Sequence, residues 1–314
     1  MSALVSTIIP VFNRSTMLRE AIDSVLAQTY RPIEVIVVDD GSTDETGDVA
    51  DALAARHSEV RVIHQQNGGP GLAREAGRLL ARGAYIQHLD SDDLLLPRKF
   101  EVQVAALEAS PHCGAAYGWT RFRRTNGTVE PQAWKRSGER IETLFPSMLT
   151  SRWWDTPTPL YRAAVIAAAG PWTDLRVEED WEYDCRIASL GVRLAYVEEW
   201  GCEVRERGAP YIAPAHLRDR ARAHLLMLRH ARNAGLENES PEMQFFARDL
   251  FHLARQCGIE GLAEESRQLI AAARSISNAR DLRAYDLAGK MIGFGRVARG
   301  ARWLERLRGH VRQA

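Results

Sequence analysis

Short apolar runs alternate with amphipathic stretches over the N-terminal part of the chain. The runs are residues 4–13, 33–40, 60–64 and 85–90. The second run is almost continuously apolar, which is typical of a strand covered on both faces of a parallel sheet. Between the runs, apolar residues recur every three or four positions, and this spacing predicts helices. Strands that alternate with helices in this way predict an open, mostly parallel α/β sheet with right-handed crossovers.

The pattern changes in the second half of the chain. We expect helices at residues 97–110 and 177–190 and strands at residues 113–123 and 192–197. An extended segment is expected at residues 153–161, because residues before proline avoid the helical conformation. From Pro214 the composition changes to long amphipathic helices rich in Leu, Ala and Arg. The sequence therefore predicts an α/β domain at residues 1–212, a helical domain at 213–277 and a basic amphipathic tail at 278–314.

Composition narrows the class of protein. The 314 residues include 41 basic and 41 acidic side chains, so the surface as a whole is not that of a nucleic-acid-binding protein. No segment reaches the roughly 18 apolar residues needed to span a bilayer. The cysteines show no zinc-type or disulfide-type spacing, and they are Cys113, Cys185, Cys202 and Cys257. We therefore expect a cytoplasmic protein in a reducing compartment.

The strand at residues 85–90 ends in a group of carboxylates. Asp90 is followed by Ser91 and by two more acids, Asp92 and Asp93. Several negative charges at the end of an apolar strand are costly to fold unless a cation offsets them. Mn²⁺ and Mg²⁺ take oxygen ligands and are commonly shared between carboxylates and substrate phosphates, so the pattern predicts a metal site. The alternative is that Asp92 or Asp93 caps the helix that follows.

Other strand ends carry further candidate ligand-binding residues. Asp39 and Asp40 follow the second strand, where one carboxylate can cap the next helix and the other can accept a hydrogen bond from a nucleobase imide. The loop at residues 67–71 is rich in glycine, but it follows the third strand, whereas the dinucleotide-binding fingerprint follows the first. Arg74 lies one turn into the next helix. It either faces the same edge of the sheet as the acids or covers a solvated helix surface.

Together these motifs resemble glycosyltransferase family 2, whose members use nucleotide-sugar donors and have the GT-A fold. The resemblance covers roughly residues 3–210 and implies an α/β GT-A fold with a C-terminal helical extension. The motifs occur in the family's order and are Ile8-Ile9-Pro10-Val11-Phe12-Asn13, Val37-Val38-Asp39-Asp40-Gly41-Ser42-Thr43-Asp44, Asn67-Gly68-Gly69-Pro70-Gly71 with Ala73-Arg74, Asp90-Ser91-Asp92-Asp93 and Glu179-Asp180-Trp181-Glu182.

The resemblance also implies roles for individual residues. Asp40 would contact the nucleobase, in a pocket lined by Pro10 and Phe12. Asp90 and Asp92 would form the Asp-x-Asp pair that holds Mn²⁺ or Mg²⁺, with Asp92 reaching the metal directly. The full set implied for nucleotide-sugar binding is Pro10, Phe12, Asn13, Asp40, Arg74 and Asp90.

Asp180 is implied to be the catalytic base. A base must be ionised, and the positive end of the helix that begins at this point favours a carboxylate. The neighbouring Glu179 is the rival candidate. Glu179, Trp181 and Trp154 are weaker candidates for contact with the donor or acceptor sugar. The pair Trp153-Trp154 either offers a stacking platform for a sugar ring or belongs to the core.

The implied reaction is transfer of a sugar, from a UDP-sugar in preference, to an acceptor hydroxyl. One base opposite the leaving group implies inversion, whereas glycoside hydrolases use two flanking carboxyl groups. The acceptor would be a glycan or a lipid-linked molecule of surface-polysaccharide biosynthesis.

Two other classes of protein stay open, a nucleotidyltransferase acting on sugar phosphates and a catalytically silent nucleotide-sugar-binding module. Many relatives carry an Arg-x-His motif where this chain has Arg205 and Arg207. If that histidine contacts the metal or the diphosphate, an arginine would have to take its place here as a cation.

Residues 290–314 carry a separate signal. They include seven basic residues and one acid, a net charge of +6, and apolar residues recur among them at three- and four-residue spacing. A basic amphipathic helix can lie on an anionic membrane, which would place the protein at the inner face of that membrane. It can equally pack on its own domain with a solvated basic face. Both interpretations stay open.

Overall fold

The computed structural model describes residues 2–206 and 214–300. The described residues form two compact units. The first unit contains residues 2–144 and 152–206, and the second contains residues 145–151 and 214–300. The boundary expected at residue 212 lies outside the described residues, so the three-region division stays a prediction.

The N-terminal half of the first unit alternates strand and helix. Its elements are β1 (Val5–Val11), α1 (Ser15–Leu26), β2 (Ile33–Asp39), α2 (Thr46–Ala54), β3 (Val60–His64), α3 (Pro70–Leu80) and β4 (Tyr85–His88). The four strands are parallel and lie in the order β3-β2-β1-β4. Their carboxyl ends therefore lie at one edge of the sheet, as the alternating pattern predicts.

The C-terminal half of the first unit makes the sheet mixed. Its elements are β5 (Leu94–Leu95), α4 (Lys99–Ala109), β6 (Cys113–Arg123), β7 (Leu160–Arg162), α5 (Ala163–Ala169), α6 (Glu179–Ser189) and β8 (Arg193–Arg205). β7 is antiparallel to both β4 and β6, while β6 and β8 are parallel. The sheet thus has a parallel half and a mixed half.

β8 is much longer than the strand expected at residues 192–197. Its second half contains Glu198, Glu199 and Trp200, which do not form an apolar run. This half is a strand because it is paired on both sides, with β6 along its length and with β5 at Leu94 and Leu95. Tertiary pairing overrides the local pattern here.

Both faces of the parallel half are covered by helices. Every residue of β1 and β2 is buried, and α1 packs against one face through Leu18, Ile22 and Val25. On the other face, α3 approaches β1 closely. A Cβ atom at Gly77 would lie 2.4 Å from Cγ2 of Ile8, so no larger residue fits there without displacing the helix.

The second unit is helical. It contains a short 3-10 turn (Ser147–Leu149) and helices α7 (Pro214–Asn233), α8 (Pro241–Ile259), α9 (Ala263–Ile276) and α10 (Arg280–Ile292). Within the described ranges, no helix is both long enough and apolar enough to cross a bilayer. Phe294 and Ala298 are buried, and a Cβ at Gly258 of α8 would lie 2.9 Å from that of Ala298. The described start of the predicted tail therefore packs on its own unit, and residues 301–314 lie outside the described residues.

Lys99, in the first turn of α4, is fully buried in the first unit. Its Nζ donates to Oε1 of Gln103 at 2.5 Å and to the carbonyl oxygen of Thr158 at 2.9 Å. Burial lowers the pKa of Lys99 to about 7, since a buried ammonium loses its hydration. Folding near neutral pH therefore favours the uncharged amine.

This lysine should make the stability depend on pH. Between about pH 7 and the ordinary lysine pKa, the unfolded chain binds a proton that the folded chain has released. The free energy of unfolding should therefore rise with pH in this window, with a slope of up to about 1.4 kcal/mol per pH unit from this group. In Lys99→Met this contribution should vanish, which urea denaturation at several pH values would measure.

The exposed Lys290 provides a matched control, because it pairs with Asp286 on the surface of α10. Lys290→Met should run parallel to wild type across the same window. Parallel curves for wild type and Lys99→Met would contradict a buried, neutral Lys99.

Candidate active site

A tight turn after β4 brings three carboxylates together. The backbone N–H of Asp93 donates to the carbonyl oxygen of Asp90 at 3.0 Å and closes the turn. Asp90, Asp92 and Asp93 each offer one carboxylate oxygen, and these oxygens lie within 4.8 Å of one another. Asp92 and Asp93 are buried and Asp90 is half-buried. The turn is therefore a compact site of negative charge at the expected edge of the sheet.

Arginines from other elements contact this turn. Nη1 of Arg14 lies 2.7 Å from Oδ2 of Asp92. At the end of β8, the backbone N–H of Arg205 donates to Oδ1 of Asp93 at 3.1 Å, and its guanidinium donates to the carbonyl oxygen of Asp92. No motif of the sequence points to Arg14, although it directly follows Asn13 in the loop after β1. Arg207 lies outside the described residues.

Arg74 connects the turn to α6. Its Nη2 lies 2.6 Å from Oδ1 of Asp90 and its Nη1 lies 2.7 Å from Oε1 of Glu179. The side chain is only 2% exposed, and its guanidinium lies over the ring of Trp172. Burial opposes its charge, but the two carboxylates outweigh burial and raise the pKa of Arg74. Arg74 thus holds two acids at a fixed spacing, and its direct contact with a diphosphate stays a prediction.

Asp180 lies beside Glu179 in the first turn of α6. Its Oδ2 is ion-paired with Nη2 of Arg152, and its Oδ1 accepts the backbone N–H of Trp181 at 2.8 Å. Burial works to raise the pKa of Asp180, but Arg152 and Arg74 outweigh it and lower the pKa. Burial and the nearby Asp180 charge instead raise the pKa of Glu179. Of the two neighbours, Asp180 is the one whose ionised form is favoured.

The two acids at the end of β2 have different tasks. Asp39 accepts the backbone N–H of Ser42 at 3.0 Å, so it stabilises the turn before α2. Asp40 is buried and accepts the backbone N–H groups of Gly68 and Gly69, each at 2.8 Å. Asp40 therefore shapes the glycine-rich loop from the inside. Its contact with a nucleobase stays a prediction.

The glycine-rich loop packs tightly on the segment that precedes α6. A Cβ at Gly71 would lie 2.1 Å from the carbonyl oxygen of Thr173, so only glycine fits. Nη1 of Arg176 donates to Oδ1 of Asn67 at 2.9 Å. The loop that Asp40 shapes is thereby fixed to the polypeptide that leads to Asp180.

Three of the predicted nucleotide-binding residues, at the end of β1 and in the loop after it, differ in their exposure and contacts. Phe12 is 45% exposed and its ring is accessible, whereas Pro10 is buried within β1. Asn13 has a left-handed backbone, with φ of 51°, and its Oδ1 accepts the backbone N–H of Thr43 at 2.8 Å. Asn13 thus joins the loops that follow β1 and β2, and its contact with a nucleotide stays a prediction.

The hypothesis of a sugar-stacking platform at Trp153-Trp154 is wrong for this structure. Both rings are only 1% exposed, so neither offers a face to a ligand. Nε1 of Trp154 donates to Oδ2 of Asp184 at 3.1 Å, and the hydroxyl of Tyr161 donates to Oδ1 of the same carboxyl. Burial raises the pKa of Asp184 to about 7. Trp153 and Trp154 therefore belong to the core of the first unit. Trp181, the other tryptophan named as a sugar-contact candidate, is half-buried at the start of α6.

The fold agrees with solved structures. The S. aureus protein TarS (residues 1–349, in complex with UDP-GlcNAc) is 22% identical, with a TM-score of 0.69 over 95% of this chain and 91% of that chain. The mannosyltransferase PcManGT from Pyrobaculum calidifontis, in complex with GDP-Man and Mn²⁺, is 17% identical, with a TM-score of 0.53 over 96% of this chain and 83% of that one. The architecture described above is the GT-A fold.

The family follows from the sequence comparison. The model of glycosyl transferase family 2 matches residues 6–161, which include the loop after β1, Asp40, Arg74 and the carboxylate turn. Residues 6–161 therefore form a glycosyltransferase family 2 domain. Asp180 lies beyond the matched segment.

Curated relatives cover part of the chain. GlyG, a glycosyltransferase of Streptococcus pneumoniae serotype 4, is 40% identical over 123 residues, or 38% of this chain and 41% of the relative. The uncharacterized glycosyltransferase EpsJ of Bacillus subtilis is 45% identical over 101 residues, or 32% of this chain and 29% of the relative. The matched segments thus span less than half the length of these relatives.

Removal of Arg74 should destabilise the fold. Arg74→Met leaves Asp90 and Glu179 without their shared cation, and breaking a buried ion pair from one side costs about 3–5 kcal/mol. We expect a loss of about 3 kcal/mol in urea denaturation, because Asp90 is still partly solvated. Arg78→Met, one turn later on α3, removes a pair with Glu75 and should cost clearly less. Equal losses in the two variants would contradict the bridging role of Arg74.

Proposed function

We propose that this protein transfers a sugar from a nucleoside-diphosphate sugar, a UDP-sugar in preference, to an acceptor hydroxyl with inversion at the anomeric carbon. The observation that carries the proposal is the Arg74 bridge between Asp90 of the carboxylate turn and Glu179, the neighbour of Asp180. The bridge holds a candidate diphosphate site and a candidate base at a fixed spacing, which the reaction requires.

The choice of donor is supported by fold relatives and by the site. TarS is solved with UDP-GlcNAc and PcManGT with GDP-Man, so two proteins of this fold bind nucleoside-diphosphate sugars. In this chain the exposed ring of Phe12 can stack on a nucleobase, and the backbone N–H of Asp40 donates to the carbonyl oxygen of Val11, the residue before Phe12. A nucleoside diphosphate sugar is therefore the proposed donor.

The carboxylate turn fits a divalent cation. Asp90, Asp92 and Asp93 supply oxygen ligands, which Mn²⁺ and Mg²⁺ prefer, and their oxygens are close enough to share one ion. One carboxylate of the turn, that of Asp92, is paired with the guanidinium of Arg14, which supports a preference of the turn for cations. When bound, the ion would neutralise negative charge on the diphosphate.

The chemistry assigned to the chain itself is proton removal. As the acceptor oxygen forms its bond to the anomeric carbon, Asp180 takes the hydroxyl proton. The bond from that carbon to the phosphate oxygen breaks, and the nucleoside diphosphate leaves with the electron pair. A single base on the face opposite the leaving group gives inversion. The ion pair with Arg152 and the start of α6 both keep Asp180 ionised for this task.

The acceptor is proposed to be a glycan or a lipid-linked molecule. Attachment of residues 290–314 to a membrane stays a prediction. Only the start of this segment is described, and there Phe294 and Ala298 are turned into the second unit.

Nucleoside diphosphate and metal should stabilise the folded protein together. UDP with Mn²⁺ binds the native state only, and ligand at about 100 times its Kd adds about 2.7 kcal/mol to the free energy of unfolding. Asp92→Ala should abolish the part of the thermal shift that needs Mn²⁺, because it removes one carboxylate of the turn. Asp48→Ala, an exposed acid on α2, should keep the full shift. A metal-dependent shift that survives in Asp92→Ala would refute this metal assignment.

Asp180→Asn should remove the base while keeping its shape. General-base catalysis contributes about 10²–10⁴-fold, so release of UDP from UDP-GlcNAc, or of GDP from GDP-mannose, should fall by that order. Binding of the free nucleotide, measured by calorimetry, should stay near wild type. Glu179→Gln should cost less, because the adjacent position on α6 points about 100° away. A wild-type rate in Asp180→Asn, with chemistry limiting turnover, would show that the proposed mechanism is wrong.

A further inference from the structure

The carboxylate of Asp180 is held on both of its oxygens. Oδ1 accepts the backbone N–H of Trp181, and Oδ2 is ion-paired with Arg152. The hydroxyl of Thr156 also donates to Oδ2, at 3.4 Å. The plane of this carboxylate is therefore set by the protein.

The extended segment that carries Arg152 is itself anchored. Two residues further on, Trp154 is buried and bonded to Asp184 of α6. Asp155 accepts Nε1 of Trp134 at 2.9 Å and also binds Lys135. With Trp154 and Asp155 held in this way, the segment places the Arg152 guanidinium at the start of α6.

We propose that Arg152 is a positioning residue for the transfer reaction, which orients the Asp180 carboxylate toward the acceptor hydroxyl and keeps it charged. The inference rests on the proposed function, because it takes Asp180 to be the base. Arg152 acts through Asp180 and not on the reacting atoms. No motif of the sequence points to it, since it lies outside the family signatures and 28 residues before its partner.

Other titratable groups interact with Asp180 as well, and they are Glu179, Asp184, Asp90, Arg74, Lys135 and Tyr161. Asp155 interacts instead with Arg152 and Lys135. Arg74 is shared between Asp90 and Glu179, and Lys135 is paired with Asp155. Arg152, in contrast, touches the Asp180 carboxylate directly. Its removal should therefore change Asp180 more than removal of either of the other cations.

Loss of Arg152 has two expected effects on Asp180. The charged form loses its contact cation, so the carboxyl should bind a proton at higher pH. Oδ2 also loses the stronger of its two donors, so the carboxylate should be less well oriented for proton transfer. A structural role alone would produce neither a change in titration nor a change in the pH dependence of the rate.

The first test is direct titration of Asp180. Carboxyl-¹³C-labelled aspartate is followed by NMR over pH, with the Asp180 signal assigned by its absence in Asp180→Asn. In Arg152→Gln the pKa of Asp180 should rise by about 1–3 units, the range for loss of an adjacent arginine. Arg152→Lys should show a smaller rise, because the charge is kept. An unchanged Asp180 titration in Arg152→Gln overturns the inference.

The second test is the pH profile of UDP release from UDP-GlcNAc with Mn²⁺. The acidic limb of kcat should move to higher pH in Arg152→Gln, with the KM for UDP-GlcNAc unchanged, and Arg152→Lys should restore part of the rate. The control is Arg136→Gln, which removes another arginine that packs on this segment, over the ring of Trp153. Its profile should match wild type. A lower kcat with an unmoved acidic limb would mean that Arg152 only supports the fold.

The two tests separate this inference from the proposed function. If Arg152→Gln does not fold, Arg152→Lys carries both measurements, with the same direction and a smaller size. Wild-type UDP release in Asp180→Asn would contradict the proposed function itself. A normal loss in Asp180→Asn, together with an unchanged Asp180 titration in the Arg152 variants, would contradict the inference alone.

Discussion

Negative charge gathered at the ends of buried strands is the constraint on which the first unit depends. Carboxylates that leave water need cations or hydrogen-bond donors close by, or they lose their charge. Here most of the partners are arginines from separate parts of the chain, and the ion pairs are Arg14 with Asp92, Arg74 with Asp90 and Glu179, and Arg152 with Asp180. Asp40 and Asp93 instead accept backbone N–H groups. The same pairs that permit burial also hold the acids in a defined arrangement.

Close packing makes the central pair possible. Arg74 reaches Asp90 because α3 lies against β1, and that approach depends on the missing side chain at Gly77. Once the helix is this close, the guanidinium is buried and cannot be solvated, so both carboxylates become obligatory partners. The close packing of α3 on β1 therefore determines both the ion pairs of Arg74 and the spacing of Asp90 and Glu179.

The strand ends were predictable because their signals are local. Apolar runs mark β1, β2 and β4, and the acids that follow them must lie at one edge of a parallel sheet. The partners of these acids were not predictable, since Arg74 and Glu179 are 105 residues apart and no periodicity links them. The second half of β8 could not be predicted as a strand for a similar reason, because its pairing with β6, and not its own composition, makes it a strand.

The contact at Gly71 has a consequence for motion. The glycine-rich loop and the segment before α6 touch so closely at Thr173, and are tied again by Arg176 and Asn67, that neither can swing away alone. A loop that opened to admit a large ligand would therefore drag the start of α6 with it, and a loop that closed would push it back. A change in the position of the loop would therefore be passed to the segment that leads to Asp180.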